Sequence, residues 1–389
     1  MAITFRYRDL GACCLALVAG LAWLHGAWGP ALSPLLVIAV AMAPGPSQRY
    51  LTSMSYFLAG SCGLPEGAAT FFGNGHPVLG WILWIASAAL LSLPWIWAKN
   101  AWGMVAAIVL DAIPPLGLFG WLSPLTAAGV LFPGSGCSGL GITIILYWIF
   151  GTYAAGREDD LLTRAMGLSS IVIMSMMANL LFISHKPPAV PQGWVGIDTH
   201  VGLVPENPFA AVERNAAWIA DAAAHTASAH VVVLPETIAG DWLPGTAAQI
   251  QAAIPAGQTW LVGTSAAMPN GERADALIAV GQNASSTALF IAPFPVPVSM
   301  WHPWRRGGYV AGWWEPVREV AGQRAWAAIC YDQMLPWVWF EALAQHPDAV
   351  LAASNVWWAK GTNIPAIEVA TTAAWGRLMG VPVVFATNR

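Results

Sequence analysis

Ala325-Trp326-Ala327-Ala328-Ile329-Cys330-Tyr331-Asp332 is an apolar, strand-like run that ends on the only cysteine of the polar half of the chain. About ninety residues earlier, Leu234-Pro235-Glu236 closes a second run of the same kind. Together they predict a thiol and a carboxylate presented at two strand ends. A rigid strand fixes each side chain, and the loop after it opens onto a pocket, which is how a cysteine nucleophile and its general base are assembled. A lone cysteine after an apolar strand is more often a buried small hydrophobe, so this stretch alone does not decide the reading.

Composition narrows them. The chain has 389 residues, of which 57% are hydrophobic and 9% charged, against about 25% charged in a soluble globular protein. Charge is sparse before residue 187, whereas Glu206, Glu213, Arg214, Asp221, Glu236, Asp241, Glu272, Arg273 and Asp275 crowd into the next segment. A boundary at Lys186-Pro187-Pro188 follows, with a polytopic membrane domain over 1–187 and a second domain over 188–389. The net charge of −4 argues against a nucleic-acid partner, which requires a basic face. Twenty-three tryptophans suit a chain that works at a bilayer interface.

Apolar runs at 10–28, 31–45, 50–63, 78–98, 101–122, 138–155 and 167–184 predict about seven spans, several of them shorter than the roughly 20 residues an upright helix needs. Arg6, Arg8, Arg49, Lys99, Arg157 and Arg164 then all fall on one side, which the positive-inside rule makes the cytoplasm. An odd number of crossings carries 188–389 outside, so the localisation expected is the inner membrane of a bacterium with the second domain on the periplasmic side. Arg6 and Arg8 before an apolar stretch resemble a secretory signal, but further spans follow at once, and a first membrane helix is the reading adopted. Cys13, Cys14, Cys62 and Cys137 lie in or beside spans, which leaves Cys330 no disulfide partner in an oxidising compartment; such a thiol is buried or used. Asp111 is either an intramembrane carboxylate or a helix-end residue before Pro114-Pro115.

The second half alternates strand and helix patterns, as an α/β layered domain does. Strands are expected at Gly193–His200, His230–Leu234, Trp260–Gly263, Ala276–Val280, Thr287–Ala292, Ala349–Ala353 and Val381–Ala386, and helices at Pro208–Ser228, 334–345 and 364–379. The eight histidines are scattered without paired ligand spacing, and Gly134-Ser135-Gly136-Cys137-Ser138-Gly139 lacks the ending of a phosphate loop. No cofactor and no metal are expected.

Four motifs occur in order: Leu234-Pro235-Glu236-Thr237, Ile329-Cys330-Tyr331-Asp332, Ser354-Asn355-Val356-Trp357-Trp358 and Ala386-Thr387-Asn388. They resemble the Glu, Cys and following strand motifs of the nitrilase superfamily (carbon-nitrogen hydrolases), most of all its membrane-attached branch, the apolipoprotein N-acyltransferases. Within that branch, Met300-Trp301-His302-Pro303-Trp304-Arg305 and Trp357-Trp358-Ala359-Lys360-Gly361 look closest to the TraB-type conjugal transfer proteins of bacterial plasmids. The resemblance covers nearly the whole chain. It implies a multi-span helical membrane domain followed by a nitrilase-like αββα sandwich; nitrilase domains continue past the Thr-Asn motif with closing strands, so either this sandwich closes differently or the sequence stops short of them at Arg389.

The resemblance also implies a Glu-Lys-Cys triad, in which the thiolate attacks an acyl carbon, the carboxylate carries protons and the ammonium stabilises the oxyanion. Matching residues make Glu236 the base and Cys330 the nucleophile. The lysine is missing: in the acyltransferases it stands two residues before a His, where this chain has Met300 ahead of His302. No lysine lies between Glu236 and Cys330, and the chain has three, Lys99, Lys186 and Lys360. Lys360 is either a replacement oxyanion donor or a solvated loop residue. Arg305 and Arg306 are either oxyanion donors or interfacial anchors among Trp301, Trp304, Trp313 and Trp314. Asp332, where the acyltransferases carry Glu, either supports the pocket or caps the following helix.

Three functions are therefore compared. The first is a conjugal transfer protein with an acyltransferase or amidase site acting at the membrane. The second is a working apolipoprotein N-acyltransferase. The third is a non-catalytic component that binds a membrane lipid, a lipoprotein or a conjugation-apparatus protein. Glu236 and Cys330 are expected to share one pocket.

Overall fold

The computed structural model describes residues 7–73, 76–154, 161–269, 271–281 and 288–389, so Arg6 and Arg157 lie outside the described residues. The chain divides into two compact units. One is helical and comprises 1–187 with 334–339 and 361–380; the other comprises 188–333, 340–360 and 381–389.

The helical unit contains α1 (Tyr7–Leu21), α2 (Trp28–Leu32), α3 (Pro34–Met42), α4 (Pro46–Gly60), α5 (Leu64–Phe71), α6 (Pro77–Ser92), α7 (Ala101–Ala112), α8 (Ala127–Leu131), α9 (Gly136–Ala154) and α10 (Leu161–Ser184). Each of the seven apolar runs overlaps a helix. Among the described residues, two stretches, Pro77–Trp97 and Ala165–Ser184, are long and apolar enough to cross a bilayer, and four other apolar helices are shorter. Proline sets several of the breaks. It opens α3, α4 and α6 at the first helical position, where its missing N–H costs nothing, and Pro114-Pro115 follows the end of α7. Arg49, expected in a loop, lies in the first turn of α4 and is buried, with Nε and Nη2 donating to the Ile96 carbonyl at 3.1 and 2.8 Å. Asp111 lies in the last turn of α7 and accepts a 2.7 Å hydrogen bond from Trp95 Nε1.

Two segments from the far end of the chain join this unit: Met334–Trp339, and 361–380 with α14 (Ile364–Met379). Gly129 on α8 lets α14 approach, since a Cβ there would sit 1.8 Å from the Ala374 carbonyl oxygen. Arg377 Nε donates to the Gly129 carbonyl at 3.3 Å, and Trp339 stacks on Trp375 with ring centroids 6.1 Å apart. Outward, α10 exposes Met166, Val172, Ile173, Met176, Met177, Leu180 and Ile183, a stripe larger than single scattered apolar residues explain.

The α/β unit has two sheets. The first carries β1 (Trp194–Gly196), β2 (Val231–Val233), β3 (Thr259–Ala267), β4 (Arg273–Gly281) and β5 (Ala288–Ile291) in that spatial order. The first three are parallel, and β4 and β5 are antiparallel additions. The second carries β6 (Arg318–Val320), β7 (Gln323–Ile329), β8 (Ala349–Asn355) and β9 (Val383–Asn388), with β7, β8 and β9 parallel. Strand alternation decides what lies between them. Val231, Val233, Leu261, Leu277 and Ala279 from the first sheet share one core with Ala325, Ala327, Ile329, Leu351, Ala353, Val384 and Ala386 from the second. The other face of the first sheet packs Val232, Trp260, Val262, Ile278 and Val280 against α11 (Pro208–His225) and α12 (Pro244–Ala253), through Trp218, Ile219 and Ile250. Asn207 caps α11, its side-chain oxygen accepting from the N–H of Phe209 at 2.9 Å. Helix α13 (Pro336–Gln345) is divided between the two units. The α/β expectation holds, and α12 and β6 are elements that sequence patterning missed.

Candidate active site

The intersheet layer is apolar along most of its length and turns polar at one end. Parity carries Asn355 and Asn388 inward at the ends of β8 and β9, after Leu351–Ala353 and Val384–Ala386. Asn388 Nδ2 donates to Asn355 Oδ1 at 2.9 Å, Asn355 Nδ2 donates to Thr237 Oγ1 at 2.9 Å, and Thr199 Oγ1 donates to Asn388 Oδ1 at 2.9 Å. This chain of side chains ties the end of the second sheet to the residue after Glu236.

Glu236 is buried just past β2. Its loop is fixed against β3, with Leu234 N–H donating to the Leu261 carbonyl at 2.9 Å and Ala239 N–H to that of Gly263 at 3.1 Å. Gly263 leaves room for it: a Cβ there would stand 1.9 Å from the Pro235 oxygen and 2.7 Å from the Glu236 Cα. Arg214 on α11 holds the same loop by donating to the Ile238 carbonyl at 2.8 Å.

Cys330 directly follows β7, one step beyond the Ile329–Ala353 pair, and is buried in the intersheet core. Its φ is +48°, and that of Thr237, beside Glu236, is +46°. A left-handed non-glycine residue costs on the order of 1–3 kcal/mol and is retained where the surroundings over-determine it, commonly at functional sites. Cys330 and Thr237 thus both sit at sharp turns that follow strands of the facing sheets.

Asp332 is fully buried, and its oxygens accept from the N–H of Phe294 at 2.9 Å and of Ile329 at 3.3 Å. It ties the loop after β5 to the end of β7 beside the cysteine. Burial pushes its carboxyl well above the usual range, and neighbouring Asp275 adds to the rise. Asp275 is the residue the sequence reading did not single out. It lies on β4 opposite Ser265, on the same face as Leu277 and Ala279, and hydrogen-bonds Glu236. Burial pushes it up to about 7.

A cavity of about 530 Å³ is lined by Trp301, His302, Trp304, Arg305, Arg306 and Tyr309 among others. Tyr309 links it to the acids: burial raises its hydroxyl, and the charges of Asp275 and Glu236 raise it further. Phe294 bridges Trp301 and Tyr331, at ring-centroid distances of 5.0 and 6.3 Å, so an aromatic wall runs from the cavity to the neighbour of Cys330. Arg305 is exposed at the cavity wall, and Lys360 is exposed just after β8 and the turn Trp357–Ala359. Glu236, Asp275, Asp332 and Cys330 are therefore all buried, and the three candidate cations, Lys360, Arg305 and Arg306, are exposed.

The conjugal transfer protein TraB of Agrobacterium fabrum is 31% identical to this chain over 372 residues, covering 90% of this chain and 85% of the relative. The chain belongs to the TraB family of conjugal transfer proteins. A probable TraB of Sinorhizobium fredii is likewise 31% identical, over 355 residues, covering 87% of each chain. No protein-family model matches the chain. Among solved structures, an amidase of the nitrilase superfamily from Nesterenkonia is similar over 43% of this chain and 68% of its own, at 16% identity and a TM-score of 0.31. A carbon-nitrogen hydrolase from Helicobacter pylori is similar over 41% and 59%, at 13% identity and a TM-score of 0.30. In this TraB family member, Met300 contributes its carbonyl, which accepts from the Tyr309 N–H at 3.0 Å and holds the cavity loop closed on itself.

Proposed function

We propose that this chain is a membrane-embedded component of conjugal plasmid transfer whose α/β unit carries a cysteine acyltransferase or amidase site. Cys330 is the nucleophile and Glu236 the base. The observation that carries the reading is that two left-handed residues, Cys330 and Thr237 beside Glu236, follow strands of the two facing sheets, with Thr237 tied to Asn355 at the end of β8. An acyl chain would lie along Phe294, Trp301 and Tyr331, and Arg305 and Arg306 at the cavity wall would hold an anionic group of the same substrate. Incubating the purified full-length protein with phospholipid vesicles tests the chemistry: an acyl mass should appear on Cys330, and a protein that stays unmodified at every pH and lipid composition contradicts it.

The exposed apolar stripe of α10 and the two bilayer-length stretches support embedding in the inner membrane. The α/β unit is proposed to lie on the periplasmic side, with several of the shorter apolar helices completing the membrane domain. A reporter active only outside the cytoplasm should therefore work when fused after Gln192. Signal from a cytoplasm-only reporter at that point would reverse the orientation.

A second reading is favoured by Met300 and by the exposure of Lys360: the pocket binds a lipid or a partner of the transfer apparatus without turning it over. Losing one oxyanion donor costs about 2.7–4 kcal/mol of transition-state stabilisation, which slows such a site without abolishing it. Met300→Lys separates the two readings, since a gain in adduct formation requires a pocket that still performs the chemistry.

A further inference from the structure

We propose that Asp275 is a positioning residue of this site, holding Glu236 through a carboxyl–carboxyl hydrogen bond over one shared proton, so that the pair bears a single negative charge when Cys330 gives up its own proton. The inference rests on the reading of Glu236 as base and Cys330 as nucleophile. It begins with strand parity: Leu277 and Ala279 on β4 face the intersheet core, and Asp275, two residues earlier, faces the same way. The side chain is 2% exposed, hydrogen-bonded to Glu236, and its Oδ1 is buried with no hydrogen-bond partner. An ionised carboxylate only accepts hydrogen bonds, so two carboxyl groups can bond to each other only if one of them keeps a proton. Two bare carboxylates at that separation would repel.

Two acidic groups and one neutral hydroxyl face the pair, and burial and then the like charge of Asp275 favour the neutral form of each acid. Asp332 approaches from the end of β7, Tyr309 from the cavity loop, and Ser265 from β3. Arg273, two residues back on β4, is half-exposed and bound to Asp241 at 2.8 Å. No lysine lies between Glu236 and Cys330. With no fully buried cation at the site among the described residues, the shared proton lowers the net charge that the thiolate must face. The step balances simply: the Cys330 S–H bond breaks and its proton passes to Glu236, leaving a thiolate beside a pair that now holds two protons and no charge. When the leaving group departs, that proton goes to it and the pair returns to its single charge. Burial pushes Asp275 up to about 7, so the shared proton is held below that pH and lost above it. Above it the pair is doubly negative and opposes thiolate formation.

The test uses the full-length protein in detergent and follows alkylation of Cys330 by iodoacetamide, read by peptide mass across a pH series. In the wild type, alkylation should lag on the alkaline side as the pair takes its second charge. In Asp275→Asn the amide donates the same hydrogen bond at every pH, and Cys330 should react about tenfold faster near pH 8.5, following the curve of a single thiol whose pKa is about one unit lower. Identical curves for the two proteins overturn the proposal. Infrared titration gives a second arm should Asp275→Asn fold poorly. Glu236→Gln removes the neighbouring charge, so the carboxyl band of Asp275 should titrate at a different pH from the wild type, and an unmoved titration overturns the shared proton. Neither arm involves acyl transfer: a normal acyl adduct with no pH effect sinks the pair alone, and the pH effect without any adduct sinks the acyl chemistry alone.

Discussion

Cys330→Ala is expected to reduce conjugal transfer to the level of a donor that lacks the gene, and to abolish the acyl adduct in the purified protein. Removing the nucleophile of a unit that acts together typically costs 10³-fold or more in rate, roughly 10⁶ in the best-studied case. Stability should change far less. The thiol sits in the intersheet core among Ala327, Ile329 and Ala353, and trimming it to a methyl group costs about 1 kcal/mol by the usual cavity argument. A large loss of transfer with a nearly unchanged melting curve is the expected pattern. Cys330→Ser should behave alike, because it keeps the shape of the side chain and gives up the thiolate. Transfer at the parental level in Cys330→Ala would mean that the pocket is used for binding and that its chemistry is idle.

Asp332→Ala should produce the largest fall in stability. The carboxyl satisfies two backbone donors, those of Phe294 and Ile329, and is fully buried. Each buried N–H left without a partner costs about 1–3 kcal/mol. Burial already raises the Asp332 carboxyl well above its ordinary range, and relief of that strain offsets part of the loss. A net destabilisation of about 2–4 kcal/mol follows, or a fall in Tm of roughly 5–12 °C for a unit of this size. Asp332→Asn should recover part of it, since the amide oxygen still accepts one of the two bonds. Tryptophan fluorescence during heating reads the transition. A Tm within one or two degrees of the wild type would show that the tie between the loop after β5 and the end of β7 does not carry the fold.

The ends of the site were legible in the sequence, and its middle was not. Cys330 and Glu236 each close an apolar run and open a turn, a local signal that needs no knowledge of which strands pair. Asp275 gives no such signal. It lies among Glu272, Arg273 and Asp275 in a polar flank, and reading the strand from Ala276 instead of Arg273 leaves it outside β4. Extending the alternation of Leu277 and Ala279 two residues back would have placed it on the inward face, although its meeting with Glu236 depends on pairing between β2, β3 and β4. Helix α12 was missed because Pro244-Gly245-Thr246-Ala247-Ala248-Gln249-Ile250 buries one large side chain, Ile250, and so shows no helical period. In the first half, the apolar runs located the helices but overstated the one at 101–122, since hydropathy does not register that Pro114 follows the end of α7 at Ala112. Arg49 shows the same limit: a charge that satisfies the Ile96 carbonyl inside the helical unit looks, in sequence, like a charge in a loop.

The most direct test of the central claim is peptide mass spectrometry of Cys330 in full-length protein purified from membranes of conjugating cells. The account predicts a hydroxylamine-labile acyl mass on the peptide that holds Cys330, present with Glu236 intact and lost in Glu236→Gln. An unmodified Cys330 in cells that transfer the plasmid normally, with Cys330→Ala transferring equally well, would contradict it.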